Sequence, residues 1–420
     1  MEPGVSSPEG ATVTHSLRIL HTSDWHLGHT LRGQSRAYEH RRFLAWLLER
    51  LEEERVDALL VAGDVFHTSN PSAEALRMFY DFLGDVRRKL PALDVVVIGG
   101  NHDSASRLDA PESLFASQGV RVIGGLAHRD DPARALVPLH REGELAGWVA
   151  AVPFLRRTDL DGAVEREAGH AAAVRAAYDR VVSLADTRRS AQQPIVAMGH
   201  LTMVDAQLSA DSERDTTRGG QESLPCDLFG DAIAYAALGH LHLAQAVAPH
   251  VRYSGSPIPM SMSEESYEHQ VLVADFEGAN LEDVRALRIP RTVPMIRLHT
   301  KAPLSLDQTL ASLRALDVME RPLAERPFLE VAVRLDRPEP NLRAKILEAL
   351  GDKQARLIKI TSHRSESLGQ CLGDRVVERE LSDLEPLDVF QMLHEQKHGA
   401  PPAEPLLQTF RELQSELHAS

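Results

Sequence analysis

The chain has 420 residues, of which 43% are hydrophobic and 25% are charged, and this balance excludes a disordered chain, a fibre and a small disulfide-bonded scaffold. Its length predicts two or three domains of ~150 residues each. The formal net charge of −15 argues against nonspecific coating of nucleic acid, although a local basic surface is compatible with that total. The two cysteines, Cys226 and Cys371, are too far apart for a CxxC pair and give no sign of an oxidising compartment.

The sequence predicts neither a targeting signal nor a membrane span. The first sixteen residues lack the basic start and the apolar stretch of a signal peptide, and we expect them to form a mobile tail. Residues 232–251 contain no Asp, Glu, Lys or Arg, but the polar side chains of His240, His242 and His250 would be costly in lipid. Two buried strands and a turn are therefore the favoured interpretation, and a cytoplasmic protein is expected.

The first part of the ordered chain alternates between apolar strands and amphipathic helices. Strands are predicted over 17–20, 58–62 and 95–98, and a helix is predicted over 36–54. This alternation predicts an α/β fold with a mostly parallel sheet covered by helices. A second helix separates the last two strands, and its inner face is expected to carry Leu76, Phe79, Tyr80, Leu83 and Val86.

The region that follows is richer in strands. A long alanine-rich helix is predicted over about 163–186, and residues 205–222 form a polar loop of the kind that can cover a site. Strands are predicted near 147–153, 194–198, 232–238, 246–253 and 270–276.

The composition changes beyond Pro290. Residues 291–370 contain 14 Lys and Arg against 10 Asp and Glu, a local net charge of +4, and they combine strand-like with helix-like segments. From residue 371 the chain is acidic, and amphipathic helical segments flank a pair of prolines. We therefore predict four parts: a mobile tail over 1–16, a main domain over 17–290, a small α+β domain over 291–375 and helical segments over 376–420.

Five short polar motifs follow apolar strands, at the points where those strands end. Because open α/β sheets place their active sites at the carboxyl ends of their strands, we expect the motifs to meet in one site. The motifs are Asp24-Trp25-His26, Gly63-Asp64, Gly100-Asn101-His102-Asp103, Gly199-His200 and Gly239-His240-Leu241-His242.

The side chains of these motifs suit a pair of divalent cations. Carboxylates, imidazoles and an amide oxygen favour manganese, iron or zinc over a soft metal bound by thiolates. Phosphodiester hydrolysis needs charge neutralisation and hydroxide near neutral pH, which two cations ~3.5–4 Å apart, held by a bridging carboxylate, provide. His102, next to a ligand, is available as an acid or base. The candidate ligands are Asp24, His26, Asp64, Asn101, His200, His240 and His242.

Each motif by itself has a simpler interpretation. The first motif could be an ordinary turn, Asp64 could cap the next helix, and the histidines of the last motif could alternate between the two faces of a strand. The motif around Asn101 is more specific. All five motifs in this order and spacing favour a metal site over an accidental combination.

The order D-x-H, GD, GNHD, GH and GHxH resembles that of the calcineurin-like metallophosphoesterases. More narrowly, HTSDWHLG, VAGDVFHTSNPS, GGNHDS, GHLT, DSERDTTRGG, LGHLHLAQ and YSGSPIP are similar to the nuclease subunits of bacterial SbcCD complexes, the counterparts of the archaeal and eukaryotic double-strand-break repair nuclease. The resemblance covers about residues 17–275. It implies a four-layer α/β/β/α sandwich with a small α+β capping domain and C-terminal helices. It also implies ATP-stimulated 3′–5′ exonuclease activity on double-stranded DNA and endonuclease activity on single strands and hairpins.

The resemblance implies a role for each matching position. Asp24, His26 and His242 would hold one Mn²⁺, Asn101, His200 and His240 would hold the other, and Asp64 would bridge the two ions. Mg²⁺, Fe²⁺ and Zn²⁺ are alternatives. His102 would orient the scissile phosphate or protonate the leaving 3′ oxygen. His67 matches the histidine of the archaeal and eukaryotic branch that helps to position the phosphate, although a solvated loop histidine is an alternative. Asp103 is expected to be a structural hydrogen-bond partner.

Contacts with DNA and with a protein partner are expected outside the metal site. Arg32 and Arg36 are candidate phosphate contacts, and the basic 291–370 region resembles the family's DNA-capping domain; solvated surface charge is the alternative for both. The C-terminal helices would bind the coiled-coil base of an SMC-like ATPase (SbcC), unless they pack on their own protein. A homodimer and association with the nucleoid are also compatible with the resemblance. The partner-binding residues would be Leu384, Leu387, Phe390, Leu393, Leu406, Phe410, Leu413 and Leu417.

Two other functions remain open at the level of sequence. One is a different member of the superfamily, such as a phosphatase or a cyclic-nucleotide phosphodiesterase. Protein phosphatases usually show GDxVDRG and GNHE, whereas this chain has GDVFHTS without the arginine and GNHD. The other is a non-catalytic protein that tethers DNA ends, which the presence of His102 beside a full set of ligands disfavours.

Overall fold

The computed structural model describes residues 16–116, 118–126, 131–209 and 223–364, together with six single positions: Phe390, His394, Pro402, Leu406, Leu407 and Phe410. The predicted mobile tail, apart from its last residue, and most of the predicted 205–222 loop lie outside the described residues. The same holds for five of the predicted partner-binding residues: Leu384, Leu387, Leu393, Leu413 and Leu417.

The described residues form the following elements. The strands are β1 (Ser16–Thr22), β2 (Thr30–Leu31), β3 (Gln34–Ser35), β4 (Ala58–Ala62), β5 (Asp94–Ile98), β6 (Val120–Ile123), β7 (Leu136–Arg141), β8 (Glu144–Ala151), β9 (Ile195–His200), β10 (Tyr235–Gly239), β11 (Gln245–Ala248), β12 (Val251–Tyr253), β13 (Gln270–Glu277), β14 (Asn280–Arg288), β15 (Met295–Leu298), β16 (Leu304–Ser305), β17 (Phe328–Leu335) and β18 (Arg356–Arg364). The helices are α1 (Ala37–Glu53), α2 (Ala73–Lys89), α3 (Ala105–Asp109), α4 (Glu112–Ala116), α5 (Gly162–Ala168), α6 (His170–Arg188), α7 (Leu306–Ala315) and α8 (Leu342–Leu350). Short 3₁₀ turns occupy Pro132–Ala135, Arg157–Asp159, Cys226–Leu228, Met262–Ser266 and Leu323–Glu325.

Two six-stranded sheets form the body of the molecule. The first sheet has the order β14-β13-β1-β4-β5-β6, in which β1, β4, β5 and β6 run parallel and β13 is antiparallel to both of its neighbours, β1 and β14. The second sheet has the order β11-β12-β10-β9-β8-β7, with β8, β9, β10 and β12 parallel. Each sheet therefore has a central set of parallel strands whose carboxyl ends lie at one edge.

Alternating side chains along the strands build the layers. In β4, Leu59 and Val61 pack with α1 and α2, whereas Leu60 packs toward the second sheet. The other face of the second sheet packs on α6 through residues such as Tyr178 and Val181. The result is the predicted four-layer α/β/β/α sandwich, with apolar clusters between all four layers.

Local differences from the predicted elements have identifiable causes. The alanine-rich helix is two helices, α5 and α6, because Gly169 adopts a φ of +88° that breaks the helix. The predicted 246–253 strand is the antiparallel pair β11 and β12. Tyr80 was expected on the inner face of α2, but its side chain is exposed and contacts Phe115 at the surface. No helix among the described residues has the length and hydrophobicity that a membrane crossing requires.

The chain after residue 290 forms a small α+β unit, as predicted from its pattern. Strand β17 pairs with β15, β16 and β18, and α7 and α8 cover this sheet through an apolar cluster that includes Leu313 and Ile346. Residues 341–361 belong to the same compact unit as the two-sheet body. The predicted boundary at residue 290 stays a prediction.

Among the single described positions of the C-terminal region, two phenylalanine rings contact each other. Phe390 stacks on Phe410 with ring centroids 4.4 Å apart and an interplanar angle of 15°. Leu407 is buried, whereas its neighbour Leu406 is exposed. The two predicted helical segments on either side of the proline pair thus contact each other through their aromatic side chains.

Candidate metal centre

The topology brings all five motifs to one edge of the two sheets. Asp24 follows β1, Asp64 follows β4 and Asn101 follows β5 in the first sheet, while His200 ends β9 and His240 follows β10 in the second. These strands run parallel within each sheet, so their carboxyl ends meet. The sequence prediction that distant motifs converge is confirmed in the structure.

One group of donor atoms consists of Asp24, His26 and His242. One ligand atom from each of the three buried side chains lies within 4.8 Å of the other two. The Nε2 atoms of His26 and His242 are only 3.2 Å apart. This is the set that the resemblance assigns to one cation.

A second group consists of Asn101, His200 and His240. Asn101 Oδ1 is 2.9 Å from His200 Nε2 and 3.1 Å from His240 Nδ1. Asp64 lies between the two groups, because its Oδ2 atom is 3.4 Å from His200 Nε2 and 3.5 Å from His26 Nε2. A carboxylate in this position can bridge two cations.

The backbone of the site is held in an uncommon conformation. Asp24, His26, Asp64 and His240 have φ angles of +53°, +45°, +50° and +96°. Such left-handed residues cost of order 1–3 kcal/mol each and cluster where function requires them. Gly100 permits the geometry, since a Cβ atom there would collide with the Asp64 carboxylate and its backbone nitrogen.

Hydrogen bonds orient the imidazoles from outside the group of donors. His200 Nδ1–H donates to the carbonyl oxygen of Ala62 (2.9 Å), and His242 Nδ1–H donates to Glu264 Oε1 (3.0 Å). Each bond leaves Nε2 as the inward nitrogen of that ring. Glu264 is fully buried and also accepts from the backbone N–H of Met260 (2.7 Å). No motif pointed to Glu264, which lies in a 3₁₀ turn 22 residues beyond His242.

The donor set fits a cation. With Nδ1–H committed to Ala62, a neutral His200 presents the Nε2 lone pair to Asn101 Oδ1, which is also an acceptor, at 2.9 Å. Two facing acceptors repel each other unless a proton or a positive ion lies between them or the amide turns to present its NH₂ group. The carboxylates, imidazoles and amide oxygen at this edge therefore form a site for divalent metal ions.

The proton affinities of the donor groups agree with this interpretation. Burial raises the pKa of Asp24 to about 6. Burial would also raise the pKa of Asp64, but the neighbouring His200 and His26 hold that pKa well below its ordinary value. Burial would lower the pKa of His200, but the charge of Asp64 raises it to about 9. A protonated His200 thus balances the negative charge of Asp64, which a bound cation would otherwise do.

His102 lies beside the ligands without belonging to either group. Its backbone N–H donates to Asp64 Oδ1 (2.9 Å), and its Nδ1–H donates to the carbonyl oxygen of His67 (2.8 Å). This tether leaves Nε2 as the available nitrogen. The His67 ring stacks on the His102 ring, with centroids 5.6 Å apart and an angle of 18°. Both rings are half-buried, so His67 is not a freely solvated loop histidine.

Asp103 has the structural role that was expected. Its carboxylate accepts hydrogen bonds from the backbone N–H groups of Val65 (3.1 Å), Phe66 (2.9 Å) and Gly100 (2.9 Å). It therefore ties the loop after β4 to the loop after β5. The two loops carry Asp64 and Asn101.

The two arginines that were expected to contact phosphate differ. Arg36 is fully buried, its guanidinium binds Glu39 through two nitrogens, and its Nη1 donates to the carbonyl oxygen of Pro259 (2.7 Å). A buried guanidinium with these partners cannot reach a DNA backbone, so the expectation for Arg36 is wrong. Arg32 is exposed, and its phosphate contact stays a prediction.

Comparison with known proteins agrees with this geometry. Residues 17–244 match the family described as calcineurin-like phosphoesterase, and residues 291–398 match the family described as Type 5 capsule protein repressor C-terminal domain. The chain is 44% identical over 360 residues to the SbcD subunit of the SbcCD nuclease of Rhodobacter capsulatus, an alignment that covers 84% of this chain and 88% of that protein. It is 34% identical over 398 residues to the SbcD subunit of the Escherichia coli K12 nuclease, with 89% and 95% covered. The chain therefore belongs to the calcineurin-like phosphoesterases and, within them, to the SbcD family of nuclease subunits.

Proposed function

We propose that this chain is the nuclease subunit of an SbcCD-type complex and hydrolyses DNA phosphodiesters with two Mn²⁺ ions. Its activities would be 3′–5′ exonuclease on double-stranded ends and endonuclease on single strands and hairpins. The observation that carries the proposal is the convergence of six other donor residues around Asp64, with His102 beside them and not among them. The family of nucleases to which the chain belongs supports the same chemistry.

The residues after Asp64 favour a diester over a monoester substrate. Protein phosphatases of this superfamily usually have an arginine in the corresponding loop, which grips a terminal phosphate. Here Val65 and Phe66 are buried and His67 follows, so this loop offers no guanidinium. A phosphodiester carries one negative charge fewer than a phosphomonoester and does not need such a contact with an arginine.

The chain's own residues would divide the work as follows. Asp24, His26 and His242 would hold one cation, Asn101, His200 and His240 the other, and Asp64 would bridge them. The bound cations would neutralise charge on the phosphate and acidify the attacking water. His102 donates its Nδ1–H to the carbonyl of His67, so in the imidazolium form its second proton would lie on Nε2. As water adds to phosphorus and the P–O3′ bond breaks, that proton would pass to the departing 3′ oxygen.

The first test replaces His102 with alanine. Loss of a general acid should lower the rate of duplex cleavage by about 10²–10⁴-fold while leaving metal content and DNA affinity unchanged. The measurements are single-turnover cleavage of a 3′-labelled duplex and of a hairpin, with p-nitrophenyl phosphate and a cyclic nucleotide as rival substrates. His140→Ala is the matched control, because His140 lies on the edge strand β7 and pairs with Asp94 of β5. Full duplex cleavage by His102→Ala would contradict the assignment of His102 as the general acid. Faster hydrolysis of p-nitrophenyl phosphate or of the cyclic nucleotide than of DNA would contradict the proposed nuclease activity.

We further propose that the C-terminal helical segments bind the coiled-coil base of an SMC-like ATPase. The Phe390–Phe410 stack pairs the segments with each other, which leaves Leu406 on the outside of the pair. Two segments in contact with each other and with an exposed apolar position suit docking on a coiled coil.

Truncation tests this partner. Deletion of residues 381–420 is expected to abolish co-purification with the ATPase and to preserve Mn²⁺-dependent cleavage by the isolated chain. Leu406→Asp should weaken co-purification as well, whereas Leu347→Asp, at an exposed apolar position on α8, serves as the matched control. Undiminished co-purification of the truncated chain would refute the docking role.

Contact with DNA outside the metal centre is also part of the proposal. Arg32 and Lys359 line a cavity of about 260 Å³ between the β2–β3 hairpin and the α+β unit, together with His29. The exposed guanidinium of Arg32 suits the backbone phosphates of DNA, which carry no sequence information, whereas Lys359 pairs with Glu330 (3.2 Å).

A further inference from the structure

Three histidine side chains form a further group of possible ligands beside the two-ion centre, and this group includes no carboxylate. One nitrogen from each of His26, His67 and His102 lies within 4.8 Å of the other two. The His26 ring is edge-on to the His102 ring, with centroids 4.9 Å apart, and edge-on to the His67 ring at 5.5 Å. We call these three residues the histidine triad. Neither set of ligands in the proposed two-ion centre includes His67 or His102.

The triad contains polar atoms whose hydrogen-bonding capacity is not used. The Nδ1 atoms of His26 and His67 are buried and have no hydrogen-bond partner among the described residues. His26 itself is only 2% exposed. His102 donates from Nδ1, so its Nε2 atom is the one that can bind a ligand. Buried nitrogens of this kind are costly unless something occupies them.

We propose that the histidine triad is an additional cation site that selects zinc over manganese, and that its occupation inhibits the enzyme. Three imidazole nitrogens are a ligand set that zinc accepts readily, whereas manganese prefers carboxylate, carbonyl and water oxygens. The two-ion centre has Asp24, Asp64 and Asn101 as oxygen donors, and the triad has none. Zinc also binds nitrogen sites more tightly than manganese does in the usual order of divalent metals.

The triad can reach the geometry of a zinc site by side-chain rotation. Zinc–nitrogen bonds of about 2.0–2.1 Å in a tetrahedron place nitrogens roughly 3.3 Å apart, which is a modest contraction of the present spacing. His67 and His102 are only half-buried, so their rings have room to turn. A fourth position would stay open to solvent or substrate.

Occupation of the triad would act on catalysis in two ways. Zinc bound to Nε2 of His102 would occupy the nitrogen that is proposed to deliver a proton to the 3′ oxygen. Zinc at His26 competes for a ligand of the two-ion centre. This inhibitory effect rests on the proposed nuclease function, whereas the binding of zinc to the triad does not.

The experiment uses the full-length protein saturated with Mn²⁺ and titrated with ZnCl₂. Anomalous scattering at the zinc edge is expected to locate zinc among His26, His67 and His102, and X-ray absorption should report nitrogen ligands. DNA cleavage should fall as this zinc binds and return when a chelator removes it. His67→Phe retains the stacked ring without a donor, and its apparent affinity for the inhibitory zinc should fall at least ~10-fold relative to the unaltered chain.

Each variant is compared with its own zinc-free rate, because His67 is also proposed to position the phosphate. His140→Phe, on the edge strand β7, should leave the zinc titration unchanged. The proposal is overturned if zinc appears only at the two-ion centre in place of manganese, or if His67→Phe binds zinc as the unaltered chain does. If the chain did not cleave DNA at all, the scattering measurement would still decide whether the triad binds zinc, independently of the nuclease.

Discussion

Asp64→Asn is expected to eliminate DNA hydrolysis while preserving the fold. Asp64 Oδ2 lies within 3.5 Å of imidazoles from both proposed ligand sets, so its charge serves both cations. Asparagine has the same shape and retains an acceptor for the His102 N–H, but it cannot bridge two cations with a negative charge. Loss of a cation's charge stabilisation is worth several kcal/mol in the transition state, which corresponds to about 10³-fold or more in rate.

Three measurements check this prediction. Manganese per chain after gel filtration should fall below two, cleavage of the labelled duplex should be lost, and the thermal unfolding midpoint should show that the variant is folded. Asp81→Asn is the matched control, because Asp81 is an exposed carboxylate on α2. Cleavage by Asp64→Asn at a tenth of the normal rate or faster would remove the bridging role.

The sequence was sufficient to predict the metal centre because its signal is local. Each motif directly follows a buried strand, and parallel strands bring their carboxyl ends to one edge whatever the loops between them do. Asp103 was also expected to be a structural hydrogen-bond partner, and its carboxylate accepts from the loop after β4. The four-layer sandwich followed from the resemblance, and the alternation of residues along β4 agrees with it.

The supporting residues could not be predicted in this way. Glu264 orients His242 from a turn without a motif, and only the fold shows that its carboxylate is buried against that ring. Arg36 was expected to contact DNA phosphate, with a solvated surface charge as the alternative, yet its partner Pro259 is 223 residues away. Such contacts depend on tertiary packing, which local periodicity does not encode. The break at Gly169 was missed because alanine-rich sequence on both sides continues the helical pattern.

Replacement of the buried Arg36 is expected to have a large effect on the stability of the fold. Its guanidinium joins three segments, namely the start of α1 through Glu39, the chain after β12 through Pro259, and the small unit through the Phe328 ring, whose centroid is 5.2 Å from the guanidinium carbon. Arg356 lies over the same ring at 3.8 Å. The arginine therefore connects the two-sheet body to the α+β unit.

Arg36→Ala is expected to lower the free energy of unfolding by about 3–5 kcal/mol, because the substitution leaves the Glu39 carboxylate buried without a counter-charge. The Pro259 carbonyl also loses its donor. The double variant Arg36→Met/Glu39→Leu should recover most of this loss, since an apolar pair removes the unpaired charge. Arg41→Ala is the matched control, because Arg41 pairs with Glu74 at the surface and should cost less than about 1 kcal/mol.

Urea denaturation followed by tryptophan fluorescence measures these free energies in the relevant part of the chain. All three tryptophans, Trp25, Trp46 and Trp148, lie in the two-sheet body. If Arg36→Ala unfolded at the same urea concentration as Arg41→Ala, the buried pair would not be a principal contact between the body and the α+β unit. If Arg36→Ala were destabilised and the double variant were not, the loss would be assigned to the unpaired carboxylate, because the double variant lacks the same guanidinium contacts but has no buried charge.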